Sequence, residues 1–300
     1  MPAQPRLLTA ADLNTLLPAA RDWVTLLEEV LGQVGAAGTG AAATPGGSFA
    51  PAFTSPGLQL PAGAGPFSAL LGADGAPRVL VDATTFQRQR DAATVAVAVK
   101  HIGDCKSEVI TLLGADRTGR AIIDALHSVL PNAERMLCFD PDVSRQEKFA
   151  DEVMTQLDLA SIIPTDPREA TEGANILVLN LPQGGSWPSP VIELDWLQTG
   201  TLIFALHPGA GLTADTRRKA DRRVTDNLAA WKAAAPERFA GEPEPDCELS
   251  AIVAGKAPGR GPGKPLVLYF AFGSPAVDAA LAAALLARAE KANRGALVPA

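Results

Sequence analysis

The sequence predicts an α/β chain in which a doubly wound parallel sheet is joined to a smaller α+β part. Three observations carry that expectation. Short apolar runs at 109–113, 136–139, 176–179, 202–206 and 266–270 alternate with stretches of helical period. Buried parallel strands read as such runs, and alternation with helices implies right-handed crossovers. The first run passes straight into a glycine-bounded loop and then a helix. The residues before 108 have a different rhythm, with helices and a hairpin but no such alternation.

Composition narrows the function classes. The chain has 300 residues, 47% of them hydrophobic, enough for a large core and for two domains. A net charge of −7 disfavours a nucleic-acid partner. Cys105, Cys138 and Cys247 are widely spaced and form neither a disulfide framework nor a metal pair. With three scattered histidines, no metal site is expected. No apolar run reaches the roughly 18 residues of a membrane span, and no signal peptide is legible, so a cytoplasmic location is expected.

The elements follow in order. Thr9 and Asp12 form a capping box with Asp in place of Glu, opening a helix with Leu13, Leu16 and Leu17 on one face. Pro18 suits the first position of a second helix, in which Val24, Leu27 and Leu31 recur and which Gly32 and Gly35 should end. Residues 36–66 carry no charge and read as loops and short edge strands. Residues 66–71 and 77–81 read as strands around a Gly-Ala-Asp-Gly turn, and 88–102 as a helix with a nearly continuous apolar face. Helices carrying Ile122, Ala125 and Leu126, and Phe149, Val153 and Leu157, follow the first two strands of the parallel sheet. Residues 241–246 and 255–265 are Pro/Gly-rich connectors, and 275–292 form a final helix.

The loop after 109–113 reads Gly114-Ala115-Asp116-Arg117-Thr118-Gly119. Gly114 suits a tight turn and Gly119 a close helix–strand approach, as in a Rossmann-type fingerprint. Asp140 ends the second strand about 20 residues further on, where a carboxylate accepts from ribose hydroxyls and favours NAD over NADP. Asp116 breaks the pattern, because the usual glycine there lets the backbone approach a pyrophosphate. At about 4 Å and an effective dielectric near 20, its repulsion of one phosphate charge is about 4 kcal/mol. Two outcomes stay open: the carboxylate points into the pyrophosphate channel, or it turns away to pair with Arg117.

Several segments together resemble the ornithine cyclodeaminase/mu-crystallin family. They are Arg90-Asp91-Ala92-Ala93, VITLLGADRTGRAIIDAL, GANILVLNLPQGGSWPSPVIELDWLQTGTLIFAL, CELSAIVAGKAPGR and VLYFAFGSPAVDAALAAALLARAEKA. The resemblance spans roughly residues 78–292. It implies a Rossmann-type domain over 108–270 and a substrate-binding and dimerisation domain formed by 1–107 with 271–300. It implies a homodimer and NAD- or NADP-dependent chemistry on small amino acids or cyclic imine carboxylates, by oxidoreduction or cyclodeamination. Arg90 matches the arginine that holds the substrate carboxylate. Asp91 replaces the family's threonine, and residues 36–76 hold neither Lys nor Arg to match its other basic residues. Where the family has a catalytic aspartate this chain has His207-Pro208-Gly209-Ala210-Gly211.

The expected site is therefore His207 and Arg90 as catalytic residues, with Gly114, Asp116, Arg117, Thr118, Gly119, Asp140 and Asn180 around NAD. His207 ends a strand where ligands bind in open sheets and can move a proton near neutral pH; the plainer alternative is a hydrogen bond to a loop carbonyl. His101 and His127 fit structural or surface roles. Asn180 either meets the cofactor or caps its loop. The basic run Arg217, Arg218, Lys219, Arg222, Arg223 reads as a solvated helix face followed by a strand start. A second reading of the whole chain is a derivative with a decayed nucleotide site, acting as a cofactor-free lyase or a binding protein.

Overall fold

The computed structural model describes residues 4–38, 48–53, 65–181, 187 and 192–299. The first part contains β1 (Arg6–Leu8), α1 (Ala10–Leu16), α2 (Ala20–Ala37), β2 (Ser48–Phe53), β3 (Phe67–Leu71), β4 (Pro77–Asp82) and α3 (Ala83–Ile102). The chain continues through β5 (Val109–Leu113), α4 (Arg117–His127), β6 (Arg135–Phe139), α5 (Val143–Leu157), β7 (Ala160–Ile162), α6 (Pro167–Thr171) and β8 (Ile176–Leu179). It ends with β9 (Leu202–Ala205), α7 (Ala214–Lys219), β10 (Arg222–Thr225), α8 (Leu228–Arg238), β11 (Cys247–Glu248), α9 (Leu249–Val253), β12 (Val267–Phe270), α10 (Pro275–Lys291) and β13 (Ala296–Leu297).

Two sheets organise these elements. The larger runs β11-β10-β12-β9-β8-β5-β6-β7 with parallel pairing throughout. Strand order reverses beside β5: β6 and β7 extend one way, β8 and β9 the other. That is a topological switch point, and ligands of open α/β sheets bind at the strand ends there. The fold is the expected Rossmann-type α/β architecture. The smaller sheet runs β13-β1-β4-β3-β2, antiparallel except for β1 with β4.

Side-chain alternation along the parallel strands divides the interior. Ile110, Leu112, Val178, Phe204 and Tyr269 face one core cluster, which takes in α2, α3, α4 and α10. Leu113, Leu177, Leu179, Ile203 and Leu268 face the other. Helix α3 lies between the two sheets, packed on α2 and α4, with Ala92 through Val99 all buried. It begins at Ala83 rather than 88, because the Asp82 side chain at the end of β4 accepts from Thr85 N at 2.8 Å and caps it.

The Thr9–Asp12 capping box forms. Helix α2 departs from expectation at both ends. Ala19 is its N-cap, with Asp22 accepting from Ala19 N, so Pro18 lies outside it. It also runs through Gly32 and Gly35 to Ala37. Gly35 is needed for packing rather than termination, since a Cβ there would lie 1.9 Å from Ser250 O at the start of α9. β1, β7, β11 and β13 are short strands that were not foreseen, β10 begins where the basic run was expected to pass from helix to strand, and β2 lies within the uncharged stretch.

Gly35→Ala tests the α2–α9 contact, because two effects oppose each other. Alanine gains about 1 kcal/mol of helix propensity. Overpacking against a backbone carbonyl costs about 1–3 kcal/mol or more. We expect net destabilisation of about 1–2 kcal/mol by chemical denaturation; net stabilisation would mean that the helices can separate freely.

Candidate functional site

The turn after β5 has the geometry its glycines imply. Gly114 has φ +108°, and its N–H donates to Phe139 O at 3.0 Å. A Cβ there would lie 2.1 Å from Asn180 O, and one on Gly119 would lie 2.6 Å from Gly114 O. Both positions exclude a larger residue for steric reasons.

Asp116 follows neither expected course cleanly. It is the N-cap of α4, with one carboxylate oxygen accepting from Thr118 N and from Gly119 N, each at 2.8 Å. Asn180 Nδ2 donates to the same oxygen at 2.7 Å and to Gly114 O at 3.1 Å. Arg117 is exposed and forms no ion pair with Asp116 among the described residues. Asp116 thus sits on the helix N-terminus, the place where a Rossmann fold receives a pyrophosphate.

Asp140 is buried at the end of β6, and its carboxylate is fully engaged. It accepts from Ala115 N and Asp142 N, each at 2.9 Å, and takes a bidentate pair from Arg145 at 2.6 and 3.1 Å. Four donors occupy the roughly four acceptor positions of a carboxylate. Ribose hydroxyls would have to displace Arg145. The turn fits a dinucleotide, but the pyrophosphate and ribose positions are filled by the chain's own groups. In this arrangement the residues do not fit NAD.

Arg90 lies near the start of α3, largely buried among carboxylates. Its Nε is 2.9 Å from Asp91 and one terminal nitrogen 3.4 Å from Asp278 of α10. Asp226, just after β10, accepts from Phe272 N at 2.8 Å and Gly273 N at 2.9 Å, and its charge also reaches Arg90. Burial pushes the carboxyls of Asp226 and Asp278 up to about 6, although Arg90 pulls each back. Burial likewise raises Asp91, against the pull of Arg90 and His207. For Arg90 the three carboxylates outweigh desolvation, so it stays charged.

His207 stands two residues beyond β9, half-buried. Burial lowers its pKa, Arg238 adds to that, and Asp91 and Asp116 oppose it. The imidazole is therefore largely neutral at pH 7 and able to accept a proton. Arg238 donates to Pro208 O at 2.7 Å and steadies the loop that carries His207. His207 feels both Asp91 of the Arg90 cluster and Asp116 of the β5 turn. Of the expected residues, Gly114, Asp116, Gly119, Asn180 and Asp140 meet in the switch-point crevice, and His207 is coupled electrostatically to Asp116 there and to Asp91, the neighbour of Arg90. Thr118 contributes its backbone N–H.

Asp226, Tyr269 and Asp278 were not singled out: Asp226 lies in none of the family-like segments, and Tyr269 and Asp278 lie in the 267–292 segment that carries the family resemblance, without a site role assigned to them. The basic run is only in part a solvated face: Arg218 and Lys219 are exposed, the others engaged. Arg217 pairs with the buried Glu242 at 2.7 Å, and Arg223 donates to the carbonyls of Arg217 and Arg218 at the end of α7. His101 pairs with Glu28 at 2.8 Å, a structural contact.

Comparison with known proteins places this geometry. The ornithine cyclodeaminase/mu-crystallin family matches residues 70–293. The chain belongs to that family. An uncharacterized cyclodeaminase of Sinorhizobium fredii is 27% identical over 260 residues, covering 82% of this chain and 76% of the relative. Thermococcus litoralis Δ1-pyrroline-2-carboxylate reductase, in complex with NADH and L-proline, aligns at TM-score 0.75 and 21% identity, covering 97% of this chain and 99% of that one. An archaeal alanine dehydrogenase dimer with bound NAD aligns at TM-score 0.75 and 19% identity, covering 99% of both chains. These structures share the family's fold.

The raised carboxyl of Asp278 has a consequence for stability. Between its ordinary value of 3.8 and about 6 the folded chain binds the extra proton. The stabilisation is complete below pH 4 and is lost as pH rises through about 6. Two units correspond to about 3 kcal/mol at most. Asp278→Asn should flatten the urea-denaturation stability curve between pH 4.5 and 7.5 by about 2 kcal/mol, the share of that range inside the window. An unchanged curve would mean that Asp278 ionises as a solvent-exposed carboxyl does.

Proposed function

We propose that this family member binds a small amino acid or its cyclic imine beside Arg90 and His207 at the strand ends and works without a resident dinucleotide. The observation that supports this most is the Asp116 carboxylate on the N-terminus of α4. It takes the amides a pyrophosphate needs and adds repulsion of about 4 kcal/mol per phosphate charge at about 4 Å. The chemistry that remains is proton transfer. A neutral His207 nitrogen takes a proton from a carbon next to an iminium, the C–H electron pair forms the new C=C bond, and the nitrogen keeps the former C=N pair. That is the opening step of a lyase or tautomerase. Residues 1–107 with 271–300 would form the substrate and dimerisation part around residues 108–270. A cytoplasmic homodimer belongs to this reading; the archaeal alanine dehydrogenase is described as a dimer.

A second reading, NAD(H)-dependent oxidoreduction, is favoured by the Gly114 turn, whose φ of +108° retains the fingerprint geometry. Titration with NADH and NADPH, followed by fluorescence, separates the two. We expect no saturation of the native protein at micromolar nucleotide. Asp116→Gly should tighten binding about a thousandfold, the equivalent of 4 kcal/mol. That variant should fold, because glycine in place of aspartate at an N-cap costs only a few tenths of a kcal/mol. Micromolar binding by the native protein would favour the oxidoreductase reading instead.

A further inference from the structure

We propose that a second binding site, for the zwitterion of an apolar α-amino acid, lies at the amino-terminal ends of β10, β11 and β12. His207 follows the carboxyl end of β9 in the same parallel sheet, so this site is at the opposite edge. It does not depend on the function proposed for the His207 edge.

A cleft of about 480 Å³ opens there, between the starts of β10 and β11 and the Pro/Gly-rich loop before β12. Sites for small ligands run to roughly 300–1,000 Å³. The polar lining is Asp221, Arg222, Asp246, Cys247 and Arg260.

The two arginines are half-buried, yet among the described residues their hydrogen bonds go only to neutral acceptors. Arg222 donates to Pro258 O and, at 3.6 Å, to the Cys247 sulfur. Arg260 donates to Gly200 O and, at 3.5 Å, to Pro265 O. Arg222 Nε and Arg260 Nη1 have no hydrogen-bond partner. Burial lowers the pKa of Arg260, and the charge of Asp104 opposes this. Both forks therefore lack the group their geometry matches best, a carboxylate.

Asp221 and Asp246 stand at the exposed rim. One oxygen of Asp221 accepts from Leu266 N at 2.7 Å, and one of Asp246 from Arg223 N at 2.9 Å. The second oxygen of each is left to meet a donor from outside. Two positive and two negative groups thus line one cleft. A simple anion would be repelled by the carboxylates, and a simple amine by the guanidinium groups. A zwitterion matches both pairs, with its carboxylate on the arginines and its ammonium on the aspartates. Pro258, Pro262 and Pro265 supply an apolar wall for the side chain.

Cys247 makes occupancy of the cleft readable, since it lines the cleft while Cys105 is exposed elsewhere. Alkylation of the full chain by iodoacetamide, followed at each cysteine by peptide mass spectrometry, reports entry of a ligand against an internal control. We expect millimolar L-leucine to slow alkylation of Cys247 about fivefold and to leave Cys105 unchanged. 4-Methylpentanoate lacks only the ammonium of leucine, and 3-methylbutylamine only its carboxylate. Each should require about tenfold higher concentration for equal protection. Arg260→Gln and Asp246→Asn should each abolish protection by leucine, with circular dichroism confirming the fold. His207→Gln should preserve it. Absence of protection in the native chain, equal protection by either analogue, or protection that survives both cleft substitutions would overturn the inference. So would loss of protection in His207→Gln, which would mean that leucine acts from the other edge of the sheet.

Discussion

The amides at the N-terminus of α4 must be satisfied, and much of the site's geometry follows from how that is done. A helix leaves its first N–H groups without intrahelical partners, and its dipole favours negative charge there. In this chain the partner is supplied from within. Asp116 accepts from Thr118 and Gly119, and Asn180 closes the arrangement from β8 by donating to both Asp116 and Gly114. An Asp N-cap contributes about 1 kcal/mol to its helix. The residue that disfavours a dinucleotide therefore stabilises the local fold, and Asn180 is bound to that role.

The same logic extends along the strand ends. Asp140 holds Ala115 N and Arg145, so the second strand also closes on its own groups. Beside them lies the Arg90 cluster, in which three carboxylates surround one guanidinium. Burying charge is costly unless it is paired, and the shift of Asp226 and Asp278 to about 6 records that cost. Strained electrostatics of this kind gather at functional sites. The cluster is accordingly where a ligand is proposed to bind.

The parallel sheet was legible because strands buried on both faces are apolar runs, as 176–179 and 202–206 are throughout and 109–113 is apart from Thr111. Gly114 and Gly119 were legible because a backbone clash leaves few alternatives. The end of α2 was misread, since Gly35 carries a stop signal locally but a packing role against Ser250 in the fold. Asp226 belongs to none of the family-like segments and Asp278 lies in the 267–292 segment with no spacing that ties it to Arg90; only the fold brings them together. For Asp116 the charge conflict was readable. That the carboxylate would turn onto its own helix was also signalled, since aspartate before a helix is a preferred N-cap.

Amide-resolved hydrogen exchange at Thr118 and Gly119 tests the central claim most directly, because it reports the two donors themselves. The account predicts slow exchange at both in the ligand-free protein, little change on adding millimolar NADH, and loss of protection in Asp116→Gly. Rapid exchange in the free protein, with protection appearing only when NADH is added, would contradict it and return the helix N-terminus to the dinucleotide.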